Sequence, residues 1–397
     1  MFQRLVSHND DLRRLVEKGF AVGFDGPHLV VRDIPYLDER GQLRIGAFVA
    51  KLEFIDNDRV TQTDHQVFFA ESIPHNIDGT PVANLAGGPC VLRLSEASSD
   101  VVVERSFSNK PVATGAFPDF FDKIESYVAL VSGPAMARYE ATPYTFRQVD
   151  EVADDSVFKF QDTLTSRAEI ADLSAKFKDD VVAIIGLGGT GAYVLDFVAK
   201  TPVREIRAFD LDPFHVHNAF RSPGRLQDDE LGKAKADVYG ARYDNFRTGI
   251  STAAKLIDAS SGEDLAGVTF AFVCVDSGTS RADIFDLLIS KGIPFIDVGM
   301  GLNVKEGMLN GMARATYYSE EHGPEVRDKG LAALVDTPDD VYKANVQISE
   351  LNALNACLAV IKFKQLRGFY CSDEPYYHLL FGIGDLKVAG ASERDED

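Results

Sequence analysis

No tryptophan occurs among the 397 residues, and methionine (five) and cysteine (four) are scarce. The cysteines, Cys90, Cys274, Cys357 and Cys371, lie far apart and form no C-x-x-C pair. That spacing excludes a readable disulfide framework or a four-cysteine zinc site, and it fits a reducing cytoplasm. No apolar run approaches the roughly 20 residues that a membrane-spanning helix needs. The opening MFQRLVSHNDDLRRLVEKGF carries charges throughout, unlike the apolar core of a signal peptide. The sequence therefore reads as soluble and cytoplasmic, without a membrane partner. Basic residues are also in deficit, 41 against 61 acidic ones, for a net charge of −20, which counts against a broad nucleic-acid surface. What is present is globular: 45% of residues are hydrophobic and 26% charged. The length exceeds the roughly 250–300 residues at which single cores stop growing, so more than one domain is expected.

Residues 1–150 contain short β-rich runs, HLVVRDIPYL, QLRIGAFVAKLEF, HQVFFAES and CVLRLSE, punctuated by Gly, Pro, Asn and Asp. A helix is expected at FDKIESYVALVSG, then an acidic linker from Asp150 to Ser166 and a helix at AEIADLSAKFK. After residue 150 the rhythm changes. VVAIIGL is a continuous apolar run, GTGAYVLDFVAK reads as a helix and EIRAFDLD as a strand. ELGKAKADVYGARYDNF reads as helical, VTFAFVCVD and IPFIDVGM as buried strands flanking the helix RADIFDLLISKG. This alternation predicts an α/β fold over residues 151–390, a Rossmann-like, doubly wound, mostly parallel sheet behind the smaller β-rich domain. One or two helices are expected from Val341 to Arg367, a final strand in PYYHLLFGIGDLKV, and a polar acidic tail over 391–397.

The chemistry concentrates after the first buried strand. Gly186-Leu-Gly188-Gly189-Thr-Gly191 lies between strand and helix, where missing side chains let backbone N–H groups and the positive helix end approach phosphate. Asp210, at the end of the next strand, is placed to accept hydrogen bonds from ribose hydroxyls. A dinucleotide and ATP fit these features equally well. Further cations separate the two: Asn218 and Arg221 follow Asp210 and Asp212, Lys233 and Lys235 follow in Leu-Gly-Lys-Ala-Lys, and Asp276 precedes Arg281. An NAD-dependent oxidoreductase has no use for this set. An enzyme that attacks the α-phosphate of ATP needs guanidinium and ammonium groups on the phosphoryl oxygens and a carboxylate for Mg²⁺.

From about Asp180 to Thr316 the chain resembles ThiF/MoeB-type adenylyltransferases and the adenylation domains of ubiquitin-activating enzymes. The resemblance rests on the doubled glycine at Gly188-Gly189, on D-x-D at Asp210 and Asp212, and on N-x-x-R at Asn218 and Arg221. It also rests on Lys235 as the G-x-x-K lysine and on D-(N)-x-x-x-R at Asp276 and Arg281, with Ser277 in place of the usual Asn. It implies that Asp210 holds the ATP ribose, Asp276 coordinates Mg²⁺, Arg221 and Lys235 sit on the triphosphate and Asn218 helps to position it. The implied reaction joins the C-terminal glycine of a ubiquitin-like or sulfur-carrier protein to AMP and releases pyrophosphate, in a homodimer. An alternative within the fold is activation of a non-protein carboxylate. Many relatives carry two C-x-x-C pairs for zinc; this chain has neither, and no zinc is expected. A thioester acceptor, if the enzyme charges itself, is expected at Cys371, after the long helix; Cys274 and Cys357 read as packed residues and Cys90 opens a strand. His215 and His217 read as loop residues, and His65 and His75 as hydrogen-bonded structural groups. Leu29–Tyr36, Asp64-His65 and Phe107–Pro111 resemble the module fused ahead of ThiF-type domains in bacterial operons that encode ubiquitin-like proteins, which suggests protein binding or buttressing for the first domain.

Overall fold

The structure, a computed structural model, describes all residues except 1, 96–97, 113, 150–155, 161, 163, 166–167, 169, 337–345 and 393–397. Most of the expected linker and the end of the acidic tail lie outside the described residues. The chain divides into two compact units, Met1–Ala171 and Asp172–Asp397.

In the first unit, helices α1 (Phe2–His8) and α2 (Asp10–Lys18) precede strands β1 (Ala21–Asp25), β2 (His28–Leu37) and β3 (Leu43–Lys51). The short pair β4 (Glu53–Phe54) and β5 (Val60–Thr61) is followed by β6 (Val67–Ala70), β7 (Gly88–Leu92) and β8 (Val103–Phe107), then by helices α3 (Phe120–Val131) and α4 (Gly133–Arg138). Six strands form an antiparallel sheet in the order β1-β2-β3-β6-β8-β7. Central strands are apolar on both faces. Val31, Phe48 and Phe69 meet Leu12, Leu15, Ile124 and Tyr127 of the helices, while Val30, Ala47 and Val49 build a smaller cluster on the other side. Helix α2 stops at Gly19, whose φ of +102° lets its N–H return to the carbonyls of Leu15 and Val16. His65 Nε2 lies 2.8 Å from Ser108 Oγ, and His75 Nδ1 donates to the Ile73 carbonyl at 2.8 Å.

The second unit is built on an eight-stranded sheet. Strands β9 (Val181–Ile185), β10 (Glu205–Phe209), β11 (Ile250–Ala253), β12 (Phe270–Val273) and β13 (Phe295–Lys305) run parallel in the order β11-β10-β9-β12-β13. Three antiparallel strands follow: β14 (Met308–Tyr318), β15 (Tyr376–Gly382) and β16 (Lys387–Ser392). Both faces of β9 are buried, Val182 and Ile184 in one core and Val181, Ala183 and Ile185 in the other, which is why its sequence is apolar without alternation. Helices α5 (Gly189–Ala199), α6 (Val216–Ala219), α7 (Lys235–Asp244), α8 (Gly278–Ser290), α9 (Gly323–Asp328) and α10 (Ser349–Leu366) lie between these strands along the chain. Strand order reverses direction at β9, so the loops after β9, β10 and β12 converge at the carboxyl edge, where doubly wound sheets bind ligands.

Four expectations change. The helix expected over Glu230–Phe246 is a 3-10 turn, Asp228–Glu230, and a loop before α7, because Gly232 adopts φ +82° and breaks the run. The helix expected at AEIADLSAKFK is reduced to a single turn, Ala171–Ser174, and a 3-10 turn, Ala175–Phe177. The expected final strand is the hairpin β15–β16, turning at Gly384-Asp385-Leu386, and its second strand takes up Ala391 and Ser392 of the acidic tail. In α10 the buried stripe is Asn352, Asn355, Ala356, Ala359, Val360 and Phe363, so the Cys357 face, with Ile361 46% exposed, is only partly packed.

Candidate functional site

Three of the four loop glycines are fixed by close packing. Gly186 has φ +93°, and a Cβ there would lie 2.8 Å from the Cys274 carbonyl. At Gly189 a Cβ would overlap the Asn352 amide, and at Gly191 the Gly186 carbonyl. Gly188, the N-cap of α5, has open space where its side chain would be. It is therefore the point where a ligand can reach the backbone and the unpaired N–H groups of the helix's first turn. Gly188→Ala is expected to keep the wild-type melting temperature yet weaken ATP binding, whereas Gly191→Ala should destabilise the unit by about 1–3 kcal/mol. Melting without ligand and ATP titration of both variants check this; unchanged ATP binding in Gly188→Ala would remove phosphate from this position.

Asp210 stands at the hub. Its Oδ2 accepts the Leu187 N–H of the glycine loop at 2.7 Å, and its Oδ1 accepts the Asp212 N–H and lies 3.4 Å from Lys235 Nζ. Lys235, the first residue of α7, is 7% exposed at its side chain and also pairs with Asp212 at 2.7 Å. Residues 212–214 and 232–235 pair through the Pro213–Ala234 bridge and the Phe214 N–H to Lys233 carbonyl bond, which turns Lys235 inward. Lys233 points outward to Asp229 with its side chain 53% exposed.

Asn218 is buried and closes the capping box of α6, its Oδ1 accepting the His215 N–H at 2.8 Å. Arg221 follows one turn on, and its buried Nε has no hydrogen-bond partner among the described residues. His215 and His217 stack with centroids 5.6 Å apart, and burial, then the charges of Arg221, His215 and Lys235, hold His217 below the usual histidine range.

Across the switch point, Asp276 is exposed in the loop after β12. Ser277 caps α8, and Asp336 accepts the Gly278 N–H and the Thr279 hydroxyl, each at 2.6 Å; these bonds hold the Asp336 carboxyl down at about 2. Arg281 does not reach into the site. It donates to Asp297 at 3.0 Å, to the Ala333 carbonyl at 2.9 Å and to the Val275 carbonyl beside Asp276, so it braces the loop. Sequence reasoning passed over Asp336, Asp297 and Asn352. A polar residue at a buried position of α10 is the one signal that could have pointed to the last.

The structure does not bring Cys371 to this group. Helix α10 starts at the glycine loop, where Asn352 touches Gly189, and ends at the opposite edge, where Arg367 pairs with Asp180 at 2.7 Å just before β9. The fifteen residues from Asn352 to Leu366 span about 20 Å of helix axis, and exposed Cys371 lies beyond them. Burial raises the pKa of both Cys274 and Cys357.

The domain of unknown function DUF6791 matches residues 10–163, and the ThiF family matches residues 164–350. A search of curated proteins gives no match. Among solved structures, selenomethionine PaaA is 20% identical over 56% of this chain and 75% of PaaA, with a TM-score of 0.42. E. coli MccB, solved with AMPCPP and selenomethionine MccA, is 16% identical over 55% of this chain and 65% of its own, with a TM-score of 0.41. E. coli tRNA N6-threonylcarbamoyladenosine dehydratase, TcdA, solved with AMP, is 18% identical over 51% of this chain and 92% of its own, with a TM-score of 0.40. Residues 164–350 are thus a ThiF-family domain, and they follow a DUF6791 domain at residues 10–163.

Proposed function

We propose that the second unit binds ATP at the carboxyl edge of its sheet and adenylates the C-terminal glycine carboxylate of a ubiquitin-like or sulfur-carrier protein. The observation that carries this reading is Asp210, which accepts the Leu187 N–H of the glycine loop on one oxygen and pairs with Lys235 on the other, together with a buried Arg221 Nε that has no hydrogen-bond partner among the described residues. Such a set recognises a nucleotide by its phosphates, through helix N–H groups and two cations, and Asp210 is free to exchange its Lys235 contact for ribose. A carboxylate oxygen of the substrate attacks the α-phosphorus. The bond to the β-bridging oxygen breaks, and pyrophosphate leaves with the electron pair, leaving a mixed anhydride of acyl group and AMP. Lys235 and Arg221 stabilise the charge that grows on the phosphoryl oxygens.

Among the described residues no three His, Cys, Asp or Glu side chains group as a metal cage. A single exposed carboxylate such as Asp276 suits Mg²⁺ carried by nucleotide phosphates, which takes only one or two protein carboxylates. Bound there, the ion would neutralise phosphate charge. The acyl adenylate is proposed to pass to a separate acceptor, since Cys371 lies about a helix length away, and the functional form to be a homodimer.

Melting curves test the nucleotide assignment. ATP with Mg²⁺ at 100 times its dissociation constant should stabilise the fold by about 2.7 kcal/mol, and NAD should leave the melting temperature unchanged. A shift with NAD or NADH alone would favour an oxidoreductase.

A further inference from the structure

The structure assigns Asn352 as a positioning residue that sets the spacing between the two phosphate-facing parts of the nucleotide site; the inference rests on the ATP reading above. Asn352 lies on α10, just past the ThiF-family span that ends at residue 350. It is 1% exposed, and both ends of its amide are used. Oδ1 accepts the Thr190 hydroxyl of the glycine loop at 3.0 Å, and Nδ2 donates to the Arg221 carbonyl at 3.1 Å. The amide also sits where a side chain on Gly189 would be. Only one amide orientation serves both contacts, because the flipped form sets its oxygen against the Arg221 carbonyl.

Helix α10 is anchored on the same helix that carries the glycine loop, through Tyr193 Oη and Ser349 Oγ at 2.6 Å. One side chain therefore ties the strand-to-helix turn, which offers N–H groups, to the segment that carries Arg221, whose buried Nε has no hydrogen-bond partner among the described residues. Neither Thr190 nor Arg221 reaches the other directly in the described contacts. A buried amide is costly unless satisfied, and an apolar residue of similar size would serve packing alone at least as well. The Asn352 amide touches neither the nucleotide nor the reacting atoms in this reading. Its effect is on geometry: contacts that need both segments at once depend on it, and contacts that need one do not.

ATP spans both segments, whereas adenosine needs only the ribose side at Asp210. The test is therefore the affinity of full-length protein for ATP and for adenosine, measured by calorimetric titration or competition, alongside the ligand-free melting temperature. Asn352→Leu is expected to weaken ATP about tenfold, the loss of two buried hydrogen bonds, with adenosine affinity unchanged. Asn352→Asp keeps the acceptor for Thr190 but sets a carboxylate against the Arg221 carbonyl, so ATP should weaken at least as much. Thr190→Val removes one contact and should have a smaller effect in the same direction. These two variants carry the test if Asn352→Leu fails to fold. Proportional loss of ATP and adenosine binding, or unchanged ATP binding in Asn352→Asp, overturns the assignment while leaving the nucleotide site standing. Wild-type protein that binds no ATP overturns both.

Discussion

Lys235→Ala should lower substrate-dependent pyrophosphate exchange by two to three orders of magnitude, about the loss usual for one preorganised electrostatic group. The ammonium group is buried at the head of α7 and sits between the carboxylates of Asp210 and Asp212, so its charge is held in place before any nucleotide arrives. In the proposed reaction, phosphate bound beside the glycine loop would draw that charge a short distance to the phosphoryl oxygens. Loss of the cation leaves two acidic side chains facing an anionic ligand. Asp276→Ala should show a comparable fall, through loss of the carboxylate that would hold Mg²⁺. Lys233→Ala serves as the contrast, because its side chain is exposed and paired with Asp229 outside the site. Exchange assays on the three variants, each with the wild-type melting curve, are the check. A severe Lys233→Ala and a near-wild-type Lys235→Ala would reverse the assignment of the two lysines.

The largest stability effect is expected at Asp297. This carboxylate is completely buried and lies between two guanidinium groups, Arg281 at 3.0 Å and Arg314. Arg314 reaches on to Thr316 at 2.7 Å, and Thr316 meets His378 at 2.9 Å, so a polar row crosses three strands. Asp297→Ala strands two buried positive charges and should cost about 3–5 kcal/mol. The net worth of the intact triad is smaller than this figure, which measures the penalty of leaving charges unpaired. Loss of Asp297 also frees the arginine that braces the Val275 carbonyl next to Asp276, so exchange activity should fall along with stability. Urea unfolding followed by circular dichroism measures the first effect. A midpoint within error of wild type would show that Arg281 and Arg314 find other partners.

The parallel half of the second unit was legible because each cue is local. The run VVAII is apolar at every position since both faces of β9 are covered, and the glycines mark a turn tight enough to exclude side chains at Gly186 and Gly191. Lys235 could be separated from Lys233 by motif alone, and the physical reason is the Gly232 turn that pairs residues 212–214 with 232–235. Strand β14 escaped notice because LNVKEGMLNGMARATYY mixes small, polar and apolar residues; it is half exposed and draws its order from pairing with β13 and β15. Asn352 and Asp297 were illegible for another reason. Their partners come from distant positions in the sequence, and a single asparagine or aspartate carries no sign of which carbonyl or guanidinium the fold will bring to it.

Exchange of labelled pyrophosphate into ATP by the wild-type protein, in the presence of a ubiquitin-like carrier protein with a free C-terminal glycine, tests the central claim most directly. Exchange is expected to require ATP, Mg²⁺ and the free glycine carboxylate, and to vanish when the same carrier is extended by one residue or amidated at its C-terminus. Exchange that persists with the blocked carrier, or release of orthophosphate without pyrophosphate, would contradict that claim.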